Sequence, residues 1–204
     1  MKNEDLFRRA KLADQRNAEA LISYPTAREL FKKRGAHVGL IPTGLPILDQ
    51  MIVKAGAKVI YDQPAAGGPA LPGPYTDQDS GEIHLPYPEA FASMKDYQHI
   101  LAHEFSHWLA IPSESYTPFT LFDEIFGSQV RPIEELAAEC TARKILEFAG
   151  SFADKESDSY LKSWIKHAEV FEAQGVRMSA VEAWDASQMK MEARVNFIQQ
   201  LMSA

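Results

Sequence analysis

The chain has 204 residues, 46% of them hydrophobic, with a net charge of −7 and a pI near 5.4. That length supports one domain with its own core, and the acidic balance argues against a nucleic-acid partner. A single cysteine, Cys140, excludes an internal disulfide, and no apolar run reaches the roughly 20 residues that a membrane span needs. The charged start MKNEDLFRRAKLADQ lacks the apolar stretch of a secretory signal, so a cytoplasmic setting is expected.

In chain order, residues 3–34 are rich in Ala, Leu, Glu, Lys and Arg and predict helix up to Gly35, with a break near Ser23–Thr26 caused by Pro25. The basic group Arg28, Lys32, Lys33 and Arg34 reads as a solvated helix end. Residues 35–56 predict loop plus a short helix over Pro46–Ala55. AKVIYD, residues 57–62, predicts a strand. The following stretch, QPAAGGPALPGPYTDQDSG, is crowded with Pro and Gly and predicts loop. EIHL, Glu82–Leu85, predicts a second strand ended by Pro86 and Pro88, and the two strands suit a long-looped hairpin.

Ser93–Ala110 has a helical pattern, with Tyr97, Leu101, Phe105 and Trp108 on one stripe and Pro112 beyond its end. Residues 113–130 are irregular, and their aromatics (Tyr116, Phe119, Phe122, Phe126) suit a cover over a cleft. Pro132 fits the first turn of a helix running to about Ala149, where Gly150 stops it. A further helix is expected over 156–173 and a last one from about Ser179 to Met202. The last carries a seam of Val181, Trp184, Gln188, Met191, Val195, Ile198 and Met202. Packing on its own domain is the favoured reading of that seam, with a homodimer through this helix as the lesser alternative. No repeat and no second domain is evident.

The chemistry concentrates in HEFSH, residues 103–107. Histidines at i and i+4 leave a helix on one face, so His103 and His107 can reach one ion. Glu104 is rotated about 100° from His103, beside such an ion and free to take a proton from a bound water. This is the pattern of a zinc hydrolase, with two ligands and a general base. A chance HExxH on an amphipathic helix is the bland alternative. A catalytic zinc needs a third protein ligand, and none follows at HExxHxxGxxH spacing. PIEELAAECTARKI, residues 132–145, puts Glu135 and Glu139 on one helical face. That face can give one carboxylate to a metal and one to the free N–H of a ligand histidine. Glu134 falls off that face and is expected in solvent. Cys140 reads as a small buried hydrophobe, and His37, His84, His99 and His167 as structural or surface residues.

The segments IHLPYPEAF, HILAHEFSHW, FGSQVRPIEELAAECTARKILEFAG and YLKSWI together resemble the zincin-like metallopeptidase domain of ArdC-type antirestriction proteins and phage polyvalent proteins, over roughly residues 57–170. The resemblance implies an α+β zincin-like fold, mainly helical with a small antiparallel sheet. The residues themselves give an N-terminal helical segment (1–56) ahead of the metallopeptidase domain (57–204), the whole forming one compact unit. The resemblance implies zinc held by His103, His107 and Glu135, with Glu139 behind a histidine and Glu139 as the alternative ligand. The chain departs from the family after HEFSHW, where LAIPSESY lacks a basic residue, and before EEL, where Val130, Arg131 and Pro132 stand. Residues 1–56 do not resemble the single-stranded-DNA-binding domain of ArdC-type proteins, so DNA binding does not carry over.

The expected activity is hydrolysis of a protein or peptide substrate, with Glu104 as general base. The substrate is expected to align along Glu82–Leu85 as an edge strand, and Tyr97, Tyr116 and Tyr160 are candidate oxyanion donors. The alternative is an antirestriction or partner-binding zinc protein that acts by binding rather than proteolysis.

Overall fold

Glycine and proline punctuate the first elements. Helix α1 (Tyr24–Arg34) carries Pro25 in its first turn and stops at Gly35, whose φ is 72°. Strand β1 (His37–Val38) follows, then helix α2 (Pro46–Ala55), again with a proline at its start and a left-handed glycine, Gly56, after its end. The computed structural model describes residues 21–63, 73–113, 131–151, 162, 165 and 180–204. The cleft-covering aromatics expected within 113–130 (Tyr116, Phe119, Phe122 and Phe126) lie outside these residues, as do residues 1–20 and most of the helix expected over 156–173. Lys162 and Ile165 of that helix are described, and both are helical.

The sheet has four strands: β1, β2 (Lys58–Tyr61), β3 (Tyr75–Asp77) and β4 (Glu82–Leu85), in the order β1-β2-β4-β3. The two strands expected to form a hairpin, β2 and β4, pair in parallel, with Val59 opposite Ile83 and Tyr61 opposite Leu85. The sheet is therefore mixed rather than antiparallel. The cause is β3, which lies in the Pro/Gly-rich stretch read as loop. It reverses the chain once more before β4, and the true hairpin is β3–β4. Its turn is closed by Asp77, whose Oδ1 accepts from the amides of Asp79 (2.9 Å) and Ser80 (3.3 Å), and by Gly81 at φ 68°. Glu82–Leu85 is consequently interior, and β3 is the edge beside the site.

Helix α3 (Met94–Ser113) runs past Pro112, where a stop was expected. In the last turn a proline removes one backbone bond only, and Ser113 Oγ donates to the Leu109 carbonyl there at 2.5 Å. Helices α4 (Arg131–Phe148) and α5 (Ala180–Ser203) complete the described elements. One apolar core joins all the layers: Leu48, Met51 and Ile52 of α2, Val59, Ile83 and Leu85 of the sheet, Leu101, Phe105 and Leu109 of α3, Ile145 of α4 and Ile198 of α5. The seam expected on α5 is displaced. Val181 is 68% exposed, and the buried face is Ala183, Ser187, Lys190, Arg194 and Ile198.

Candidate metal centre

The apolar stripe of α3 faces the core beneath the sheet, and the adjacent face, with His99, His103 and His107, turns toward α4. His103 and Glu104 are each 7% exposed, and the helix is pinned to the β3–β4 hairpin at two points. Trp108 Nε1 donates to the Gly81 carbonyl at 3.0 Å. Thr76 Oγ1 lies 2.7 Å from the Glu104 carbonyl oxygen and 2.9 Å from its Oε2, so one hydroxyl proton serves both.

The Nε2 atoms of His103 and His107 face each other at 3.2 Å, and Glu135 Oε2 lies 3.3 Å from the first and 3.6 Å from the second. One donor atom from each of His103, His107 and Glu135 falls within 4.8 Å of the others, the group among the described residues that could hold a metal ion. The other ring nitrogens are matched to carboxylates. His103 Nδ1 is 3.2 Å from Glu139 Oε2, and His107 Nδ1 is 2.9 Å from Glu134 Oε1. A Nδ1–H donated to a carboxylate leaves Nε2 as the lone-pair face of a neutral ring. The donor set of two imidazoles and one carboxylate, each imidazole supported from behind, fits a divalent metal.

The sequence placed Glu135 and Glu139 on one face, and the structure brings both to the histidines. Glu134 departs from expectation. It is 18% exposed by side chain and accepts from Arg194 Nη2 at 2.8 and 2.7 Å and from Lys190 Nζ at 3.3 Å. A residue 100° off a site-facing stripe reaches solvent only where nothing packs beside it, and here α5 does. His99, expected to be structural or at the surface, donates to Glu139, with Nε2 3.1 Å from each carboxylate oxygen. Thr76 was missed because its strand was read as loop. Cys140 is half-buried rather than buried and accepts from Gln188 Nε2 at 3.5 Å. Tyr97 is excluded as an oxyanion donor: its hydroxyl donates to the Ile41 carbonyl (3.0 Å) and meets Tyr61 Oη (2.5 Å) inside the core. Tyr116, Tyr160 and His167 lie outside the described residues.

His103 and His107 face Glu134, Glu135 and Glu139 as interlocked ion pairs. Burial opposes a charged His107, but hydrogen bonds to Glu134 and Glu135 outweigh it and its pKa is pushed up to about 9. Burial likewise opposes a charged His103, yet Glu135 and Glu139 hold it well above the ordinary imidazole value. Burial works against ionised Glu134, Glu135 and Glu139 too. It is overcome by Arg194 at the first, by His103 at the second and by His99 at the third, and all three stay below the usual carboxylate range.

The sequence matches a family described as zincin-like metallopeptidase over residues 47–174. Neither the curated proteins nor the solved structures give a match. No helix among the described residues is long and apolar enough to cross a membrane. The match covers more than half of the chain, and it contains both helices whose histidines and glutamates converge, so the chain belongs to the zincin-like metallopeptidase family.

Proposed function

We propose that the chain is a zinc-dependent peptidase, with His103, His107 and Glu135 as the zinc ligands and Glu104 as the general base. The observation that carries this is the convergence of two Nε2 atoms and one carboxylate oxygen, with a carboxylate behind each imidazole. Zinc held there supplies Lewis acidity to a scissile carbonyl and makes a water acidic enough to lose a proton near neutral pH. Glu104 would serve as the general base toward that water and then as the acid toward the leaving amine. Thr76 keeps the Glu104 carboxylate in one orientation through the 2.9 Å hydrogen bond. Glu139 and Glu134 hold the two rings with Nε2 forward. A peptide in extended form suits β3, the edge strand among the described residues that lies against the HExxH helix, in place of the interior strand β4.

Metal content of the wild type and of His103→Ala, Glu135→Ala and Glu104→Ala tests the reading, alongside hydrolysis of a fluorogenic peptide library. The expected result is about one zinc per chain, kept in Glu104→Ala and lost in the other two, with hydrolysis lost in all three. A wild-type protein that takes up no zinc when supplied with it sinks the proposal. Zinc uptake without hydrolysis, together with a biological effect that survives Glu104→Ala, transfers the function to binding of a partner.

A further inference from the structure

We propose that helix α5 is a working part of the metal centre: Lys190 and Arg194 clamp Glu134, and Glu134 fixes the ring of His107 with its Nε2 toward the ligand cluster. This rests on the metal reading above and extends beyond the family match, which ends at residue 174, before α5 begins at Ala180.

Two observations carry it. First, α5 buries charge where a helix that only packed would bury hydrocarbon. Arg194 is 0% exposed and Lys190 3%, on the same face as Ala183 and Ile198. Withdrawing a guanidinium and an ammonium from water is unfavourable unless well-placed partners offset it, and both converge on one carboxylate. Arg194 Nη2 reaches both oxygens of Glu134, at 2.8 and 2.7 Å, and Lys190 Nζ adds a contact to Oε2 at 3.3 Å. Contacts to both oxygens restrict the plane of the carboxylate as well as its position.

Second, Oε1, which also accepts from Arg194 Nη2 at 2.8 Å, is the oxygen that meets His107 Nδ1, at 2.9 Å. A carboxylate there selects the tautomer with the proton on Nδ1 and the lone pair on Nε2. The two histidines are thus supported differently. His103 leans on Glu139, which belongs to α4 itself, whereas His107 depends on a third helix through Glu134. Glu134 is a positioning residue, since it acts through His107.

The test uses the full chain and two readouts besides hydrolysis: zinc affinity by competition with a chromophoric chelator, and the visible spectrum of the cobalt(II)-substituted protein. Glu134→Leu/Lys190→Met/Arg194→Met removes the acid and both cations together, the kind of replacement that commonly leaves a fold intact. Glu134→Gln keeps the shape without the charge, and Arg194→Lys is the conservative variant. The triple variant is expected to bind zinc about 10- to 100-fold more weakly and to alter the cobalt spectrum. Glu134→Gln should move both readouts the same way by a smaller amount, and Arg194→Lys should stay nearest to wild type. If the triple variant does not fold, Glu134→Gln decides alone. Wild type that binds zinc, with folded variants matching its affinity within about twofold and an unchanged cobalt spectrum, overturns the clamp and leaves the peptidase reading standing. Wild type that binds no zinc overturns both.

Discussion

Three glutamates on one helix divide the work at the site. Glu135 turns its oxygen to the pair of Nε2 atoms, Glu139 backs His103 and Glu134 backs His107. Thr76 does for Glu104 what these carboxylates do for the histidines. Thr76→Val keeps the side-chain shape but removes the hydroxyl, so kcat/KM for peptide hydrolysis should fall roughly 10-fold through a misaligned base while zinc content stays the same. Titration offers a second check on single residues. The folded-state pKa of His107, about 9, lies above its ordinary value of 6.5. Its stabilising contribution is therefore complete below pH 6.5 and is lost as pH rises through about 9. Thermal unfolding of the metal-free chain should show Tm falling across that window, and His107→Gln should flatten the fall. Glu134 and Glu139 act in the opposite sense. Their lowered values give stability that is present above the ordinary carboxylate range and is lost toward acid.

At the scale of elements, helix α3 works because it is held by the core, by α4 and by the β3–β4 hairpin. Its apolar stripe is in the core, its histidine face meets α4, and Trp108 and Glu104 tie it to the β3–β4 hairpin. Leu101→Ala, at a fully buried position of that stripe, should cost about 2–5 kcal/mol in urea unfolding. Gly81→Ala strains a φ of 68° beside Trp108 and should cost about 1–2 kcal/mol, again read by urea unfolding. The helices were legible in the sequence because they rest on local signals: the Tyr97–Leu101–Phe105 stripe, and Pro25, Pro46, Gly35 and Gly150 at helix ends. HEFSH and the Glu135–Glu139 pair were legible for the same reason, since i, i+4 spacing fixes a shared face. What the sequence hid was set by contacts between distant segments. The pairing direction of β2 and β4 depends on a three-residue strand amid prolines and glycines. The burial of Glu134, Lys190 and Arg194 depends on how α5 lies on α4, and no local periodicity encodes that, because a buried cation looks like a surface one until its partner is known.

For the whole molecule, the site joins elements that would otherwise meet only through the core. Zinc binding to the folded chain alone should raise its stability by about 4 kcal/mol when free zinc is 1,000 times the dissociation constant. Calorimetry should therefore show Tm rising with added zinc and falling again with a chelator, and His103→Ala should respond to neither. The position of Lys190 and Arg194 in the chain has a consequence for how the protein is made. A ribosome delivers His103, His107 and all three glutamates before it begins the 24-residue helix that carries the two cations. Until that helix emerges and docks, every proposed ligand exists but the proposed clamp on Glu134 does not. A nascent chain that still lacks this helix should therefore hold metal more loosely than one in which it has docked.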